Sequence, residues 1–550
     1  MGQNDEVFDD FDLVISVTQK AINEQLENLV NNGTIPGRLR MKSDGGQWVY
    51  LADDEKLPDD DKLGKYDCYL DVEFLPKIHF DRKNEQDVLF GVVLTKGQAL
   101  FTLYGKGDQA PQVRRYTIES SPGNRYRLSV RARLRMAKWD KEQADRTYVS
   151  DSLRRTLDGL VDDYFAVRHV YCGLSDLDFS KRNRSEINSW WEGTMPPDVE
   201  QLDILGGFLQ HHFSAANSPS GKRAVVAGYS VSHTEQSLAR AGADPAGGPS
   251  DWMVPVNATF STMRDDQDPD LSTLNFFAVT RWRNKHDVDL EPPRHRDNWV
   301  DQDRDVDGVL TVGPHAFLFP AVLEPMFDQL RQRALPPVQE VAPDAQAFPF
   351  GKVVSFDAHR GQVEVEVVRR FAGSPCAAPF QRLAARVVLM AIPRGNNVIV
   401  TGKFILDSLD AAKDGCVVPL RASCQEWADA LYADLALDSD GRPVLRARQS
   451  EHFHFRNELD ERAESGNCRD NGVEEDLKSA LRSWAATVNE PYRHGFKSLF
   501  KHSWDHFDRC ADDLANVPVL LPAGDTFFFR NALFREHGSM SIDITYQAER

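Results

Sequence analysis

Cysteine is scarce in this chain. Seven thiols in 550 residues (Cys68, Cys172, Cys376, Cys416, Cys424, Cys468 and Cys510) are odd in number, scattered, and form no C-x-x-C pair. That spacing speaks against a disulfide framework or a zinc ribbon and leads us to expect reduced thiols in a cytosolic protein. Positive charge is also in deficit: 65 Lys and Arg stand against 84 Asp and Glu, for a net charge of −19. Phosphate affinity rests on clustered cations, so a general nucleic-acid binder is disfavoured. No apolar run approaches the roughly 18 residues of a spanning helix. FLFPAVL (Phe317 to Leu323) is among the longest runs and contains a proline. The opening MGQNDEVFDDFD lacks the positive and apolar regions of a secretory signal. Glu6 stands where a myristoylation signal wants Ser or Thr, and the closing YQAER has no prenylation cysteine. A cytoplasmic location, or release without a conventional signal peptide, is the expectation, with peripheral membrane contact left open.

Catalytic signatures are missing too. Gly228-Tyr229-Ser230-Val231-Ser232 lacks the second glycine of a nucleophile elbow. Ser220-Gly221-Lys222-Arg223 lacks the leading glycine and the Ser or Thr of a phosphate loop, and no G-x-G-x-x-G occurs. His502, His506 and Cys510 recur every fourth residue and would share a helical face, as zinc ligands can. Ser503 stands where a zincin needs its glutamate, so the general base is absent. His452 and His454 alternate on a candidate strand; a zinc-dependent hydrolase would require these groups to converge. Asp303, Asp305 and Asp307, followed by Gly308 and Leu310, match the first half of a calcium loop. Pro314 occupies the place of the bidentate glutamate, which leaves a weak oxygen-ligand site or a solvated acidic loop. Neither an enzyme nor a cofactor is expected.

What the chain does contain is architecture. Phe11 to Val30, placed on a helical wheel, spreads Val14, Val17, Ile22, Leu26 and their apolar neighbours over an arc on the order of 200°, where a surface helix shows about 100°. Asp12, Ser16, Lys20, Asn23 and Glu27 share the polar remainder, Asp9 or Asp10 is placed to cap the start, and Asn31-Asn32-Gly33 ends the pattern. The reading is a helix of about 20 residues, roughly 30 Å long, wrapped on most of its girth. Strand patterns follow at 48–51, 66–78, 88–94 and 100–104. In Tyr126 to Met136, Tyr126, Leu128, Val130, Ala132, Leu134 and Met136 alternate with Arg127, Ser129, Arg131, Arg133 and Arg135. That is about twice the usual strand length and places four arginines on an outer face, where neighbouring carboxylates pair with them more readily than anionic head groups. Asp151 to Phe165 reads as a second amphipathic helix, and Ala224 to Val231 as a strand between loops.

At 550 residues the chain exceeds one comfortable core. The polar stretch 284–307, with Pro292-Pro293 inside it, is taken as a linker dividing units 1–300 and 301–550. The second unit opens on a helical pattern, Phe317 to Leu335. Strands follow at 363–367, 386–392 and 397–406, helices at 424–435, 473–488 and within 496–514, and closing strands at 526–529 and 541–546. The order of a long helix followed by strands thus occurs twice. Trp190-Trp191 lies in the polar stretch SEINSWWEGTMPP, suited to a membrane interface, a partner pocket or insertion into the core.

Three stretches carry a family resemblance: DFDLVISVTQKAINEQL (Asp10 to Leu26), WMVPVNATF (Trp252 to Phe260) with STLNFF (Ser272 to Phe277), and PAGDTFFF with SIDITY (Pro522 to Tyr546). Together they resemble the TULIP, or tubular lipid-binding, superfamily, in the bacterial branch encoded beside clostridial neurotoxins. The resemblance implies an α+β fold of two TULIP-like domains, each a long helix wrapped by a highly curved antiparallel sheet. It also implies a soluble, non-enzymatic protein with a hydrophobic groove, binding lipid or another elongated hydrophobic ligand as an accessory component of a toxin or secreted complex. Val14, Val17, Ile22, Leu26, Trp190 and Trp191 are the candidate ligand-binding residues on this reading. A scaffold that binds a protein partner, with its groove closed, is the alternative.

Overall fold

The computed structural model describes residues 5–44, 47–52, 54–59, 68–80, 86–103, 112–119, 126–140, 147–160, 165–173, 190–191, 199–214, 223–234, 255–280, 289–295, 297–301, 305–317, 346–347, 351–357, 362–372, 380–394, 397–413, 416–437, 443–448, 455–463, 519–521, 526–535 and 539–547. Its elements begin with strand β1 (Leu13–Thr18), which runs directly into helix α1 (Gln19–Asn31). Then come β2 (Arg38–Asp44), β3 (Gln47–Tyr50), β4 (Cys68–His79), β5 (Asp87–Leu103), β6 (Gln112–Glu119), β7 (Tyr126–Lys138) and β8 (Thr147–Tyr148). Helix α2 (Asp151–Leu160), β9 (Phe165–Gly173), β10 (Trp190–Trp191), helix α3 (Val199–Ser214) and β11 (Ala224–His233) follow. Next are β12 (Pro255–Met263), β13 (Thr273–Thr280) and β14 (Gly308–Val312). Eight strands run from 346 to 463: β15 (Gln346–Ala347), β16 (Gly351–Asp357), β17 (Gln362–Ala372), β18 (Phe380–Arg394), β19 (Asn397–Lys413), β20 (Cys416–Leu437), β21 (Pro443–Arg448) and β22 (Phe455–Ala463). The chain closes on β23 (Val519–Leu520), β24 (Thr526–Phe534) and β25 (Met540–Gln547).

The fold is mostly β, with a curled half-barrel sheet and few helices. Among the described residues there are three sheets. The first, of six strands, has the order β12-β13-β1-β14-β25-β24, and takes strands from both sides of residue 300. The second, of 11 strands, runs β23-β11-β9-β7-β5-β4-β2-β3, with β6 added to β5, β8 to β11 and β10 to β7. The third, of eight, runs β15-β17-β18-β19-β20-β21, with β16 and β22 paired to β17 and β20. Among the described residues every strand pairing is antiparallel except that of β8 with β11.

The opening segment is the main correction. The wide apolar arc of Phe11 to Val30 is not one helix: its first part is β1, buried at every position, and only Gln19–Asn31 is helical. LVISVT is rich in β-branched side chains, which favour strands. As a central strand between β13 and β14 it buries both faces, so it shows no alternation that would separate it from a buried helix. Thr18, not Asp9 or Asp10, caps the helix: its hydroxyl accepts from the Ala21 N–H at 3.2 Å. The C-terminal expectation holds, with Gly33 at φ +79°. Within α1 the wet edge survives, since Lys20, Glu24 and Asn31 are exposed while Ile22, Leu26 and Leu29 are fully buried.

Other boundaries move for similar reasons. The patterns at 88–94 and 100–104 are one strand, β5, bulged at Thr95 opposite the Glu73/Phe74 register break, two residues before Gly97 with its positive φ. Segment 424–435, rich in helix formers, lies inside β20, where ladders with β19 and β22 override its propensity. The helix starting at Asp151 ends at Leu160, and Phe165 already opens β9. Within the stretch 284–307 taken as a linker, His295, Trp299 and Val300 are buried. Trp299 joins Val7, Phe8, Phe11, Val14, Val256, Phe277 and Val279 in one core cluster. In β7 the alternation holds only in the second half; Arg127 is 7% exposed and packs beside Ser129 instead of facing out. The helical patterns at 473–488 and 496–514, and 317–335 beyond the turn Pro314–Phe317, lie outside the described residues.

Candidate functional site

The buried face of β4 carries Leu70, Val72, Phe74, Pro76 and Ile78, and strict alternation along the strand puts its polar residues on the other side. In register, Ile78 stands beside Phe90 of β5 and Phe90 beside Val130 of β7, so one apolar face continues across three strands. Helix α1 packs against β4 and α3 covers the same apolar face.

Two side-chain amides fix α1. Beyond Glu73, β4 outruns its neighbour β2, leaving backbone groups with no strand partner on that edge. Asn23 replaces the missing strand: its Nδ2 donates to the Ile78 carbonyl at 3.0 Å and its Oδ1 accepts the Ile78 N–H at 2.8 Å. One turn earlier, Gln19 Oε1 accepts the Phe80 N–H at 2.8 Å, and its Nε2 lies 3.2 Å from His79 Nδ1. Burial pushes the His79 imidazole down to about 3, with the charges of Arg127 and Lys77 acting in the same direction, so it is neutral.

Helix α3 rests on aromatic rings. Phe208 meets Trp48 at 4.3 Å between centroids, and Phe213 meets Phe74 and Phe90 edge-on at 6.1 and 5.8 Å. Gly207 permits this seat, because a Cβ there would come within 2.8 Å of the Trp48 ring. His212 is buried between Tyr50 and Phe74, its Nδ1 3.2 Å from the Tyr50 hydroxyl, and burial depresses it to about 4. The sequence reading missed α3. Leu205, Phe208, Leu209 and His212 do have helical spacing, but Gly206-Gly207 interrupts it with two poor helix formers.

The outer face of the same sheet is charged. A cleft of about 700 Å³ lies between the loop 54–57 and rows of β2, β4 and β5 side chains, lined by Arg38, Arg40, Lys56, Lys96, Asp71 and Glu73 among others. Arg38 reaches Asp71 through two bonds of 2.8 and 3.0 Å, and Arg40 reaches the same carboxylate at 3.2 Å while tying the loop through the Ala52 and Glu55 carbonyls. This cleft suits polar groups, not acyl chains.

The candidate ligand residues Val14 and Val17 sit on β1, and Ile22 and Leu26 on α1; all four are 0% exposed. Trp190 and Trp191, in a stretch expected to be a loop, form the short strand β10 paired with Arg127 and Tyr126 of β7. Of the acidic loop, Asp303 lies outside the described residues. Asp305 is an exposed partner of Lys20 at 3.2 Å, whereas Asp307 accepts the Tyr546 N–H at 2.7 Å and its carbonyl accepts the Thr18 N–H at 2.8 Å. Asp305 and Asp307 thus serve different contacts. Among the described residues no group of three or more His, Cys, Asp or Glu side chains gathers into a metal site. His452, His454, His502, His506 and Cys510 lie outside the described residues, and Cys68 and Cys172 are buried thiols outside any disulfide.

The class defined here is a mostly β protein with a curled half-barrel sheet and few helices. No protein-family model matches the chain, and no curated protein matches it by sequence. Similar solved structures include P47 of Clostridium botulinum E1, at 9% identity and a TM-score of 0.41 over 98% of this chain and 99% of that one. P47 from Clostridium botulinum A2 is similar at 9% identity and a TM-score of 0.42 over 97% of each chain. A lipopolysaccharide binding protein is similar at 10% identity and a TM-score of 0.27 over 98% and 99%. Among the described residues no helix is long and apolar enough to cross a membrane.

Proposed function

We propose that this chain is a non-enzymatic binding protein of the tubular lipid-binding type, holding a lipid or another elongated apolar ligand, and that it serves as an accessory to a toxin or secreted complex. The observation that supports the reading is the continuous apolar face Phe74–Ile78–Phe90–Val130, covered among the described residues by helices α1 and α3. Helix α3 meets this face through ring contacts, tilted at Trp48 and edge-on at Phe74 and Phe90, and Gly207 leaves no side chain to lock it there. A helix seated this way can lift to admit an acyl chain along the rings, exchanging one apolar contact for another. Native mass spectrometry of the purified full chain, with organic extraction, tests this. A phospholipid or fatty acid at near-stoichiometric amount is the expected result. A clean apo mass that stays apo after incubation with fatty acid and phospholipid would sink it and turn attention to a protein partner.

A further inference from the structure

The two helices on the apolar face of the large sheet are held by different means. Helix α1 is bonded to strand backbone, with Asn23 reaching the Ile78 carbonyl and N–H at 3.0 and 2.8 Å. Helix α3 is seated on rings, Phe208 on Trp48 and Phe213 edge-on to Phe74 and Phe90.

An ionisable group lies inside that seat. His212, in the last turn of α3, is 1% exposed. Its ring stands 6.1 Å from the Tyr50 ring, 5.7 Å from Phe74 and 4.9 Å from Phe213, and its Nδ1 is 3.2 Å from the Tyr50 hydroxyl. The groups that face it are thus Tyr50 from β3, Phe74 from β4, and Phe213 with neighbouring His211 from its own helix. None of these four is an anion. His211 is half-buried, with its ring 6.0 Å from the same Tyr50 ring, so two imidazoles of the last turn border one phenol.

A neutral imidazole suits this site and an imidazolium does not. Burial among rings strips the cation of water, and burial together with the charge of His211 holds His212 down to about 4. In water the same group titrates near 6.5. Acid therefore favours any state in which His212 has left its seat, and favours it more as pH falls from the second value to the first. The smallest such state lifts α3 and leaves the sheet intact. Gly206-Gly207 weakens the helix once it is off the rings, since two poor helix formers sit in a segment of only 16 residues. His79 is likewise depressed beside Gln19 of α1, but that helix would have to break its bonds to Ile78 and Phe80 to release it. His169, held at about 4, lies with Trp139, Tyr171 and Tyr229 around strands β9 and β11.

We propose that α3 is an acid-released cover: a proton taken up by His212 unseats the helix and opens the apolar face beneath it. The use of that opening, exchange of an apolar ligand, rests on the lipid reading; the release itself does not.

Hydrogen exchange on the ligand-free full chain, read by mass spectrometry of peptides at pH 7.5 and 5.0, tests it. With rates corrected for the intrinsic effect of pH, α3 is expected to open about 30-fold more at pH 5.0 than at 7.5 from His212 alone, while β4 and β5 change less. In H212Q the difference should vanish, and in H169Q it should remain. If H212Q does not fold, H212F carries the comparison. A helix that exchanges alike at both pH values would overturn the proposal. So would a rise shared equally by β4 and β5, or one that persists in H212Q. A chain that takes up no lipid yet shows the release loses the lipid reading and keeps this one.

Discussion

Asn23 and Ile78, 55 residues apart in sequence, are joined as two β-strands would be, with a side-chain amide in place of one backbone. The carboxamide has one donor and one acceptor in the geometry of a peptide group, so it finishes an edge that β2 leaves open. Asn23→Ala should therefore remove two bonds and strand two buried backbone groups. A loss of about 2–4 kcal/mol is expected, read as a fall in urea midpoint with unchanged m-value. Asn23→Asp keeps the acceptor and loses the donor, and should unfold at least as easily because its carboxylate is buried against a carbonyl.

Thr18 marks the switch from strand to helix. Its hydroxyl accepts from Ala21 and donates to the Asp307 carbonyl at 3.0 Å, so one side chain caps α1 and fixes the strand junction. Thr18→Val keeps the shape and loses both bonds; we expect about 1–2 kcal/mol of destabilisation by chemical denaturation. A variant as stable as wild type would remove this role.

Gly97 has φ +136°, and a Cβ there would overlap the Asp71 carbonyl oxygen. Gly97→Ala must part the β4–β5 pairing at Asp71–Val72, at a cost on the order of 1–3 kcal/mol from backbone strain alone. The Arg38–Asp71 pair should loosen with it. A clear drop in melting temperature is expected, against no change for Gly159→Ala, where a Cβ meets nothing.

Acid should destabilise the fold through buried histidines. Burial holds His212 and His169 at about 4 and His79 at about 3 in the folded chain, against an ordinary 6.5. Between these values the unfolded chain binds more protons than the native one, so stability is full above about pH 6.5 and falls as pH drops toward 4. Each group contributes up to about 3 kcal/mol across that window. His212→Gln should flatten the decline of the melting temperature between pH 6.5 and 4; an unchanged profile would remove His212 from the account.

Much of the architecture was legible in the residues. Alternation announced β4 and the second half of β7, because each buries one face and leaves the other partly exposed. Of the polar side read as Asp12, Ser16, Lys20, Asn23 and Glu27, Lys20 is exposed and Glu27 partly so, whereas Asp12, Ser16 and Asn23 are buried. The site was harder to see. Asn23 was placed on the polar side of a helix, whereas its amide completes a sheet edge; nothing in local spacing distinguishes the two. Trp299 looked like linker because its neighbours are polar, although the ring itself is buried.

Sequence alone determined where the chain alternates, where Gly33 ends a helix, and which stretches at the start, middle and end look alike in kind. Only tertiary structure decided that LVISVT is a strand. A segment buried on both faces has no polar side to reveal its period, so its state depends on whether β13 and β14 arrive beside it. The same holds for the three stretches that carried the family resemblance. DLVISVT, VNATF with TLNFF, and SIDITY lie hundreds of residues apart, yet β1, β12, β13 and β25 belong to one sheet. Hydrogen-bond register between distant strands is a property of the folded chain, and no local pattern encodes it.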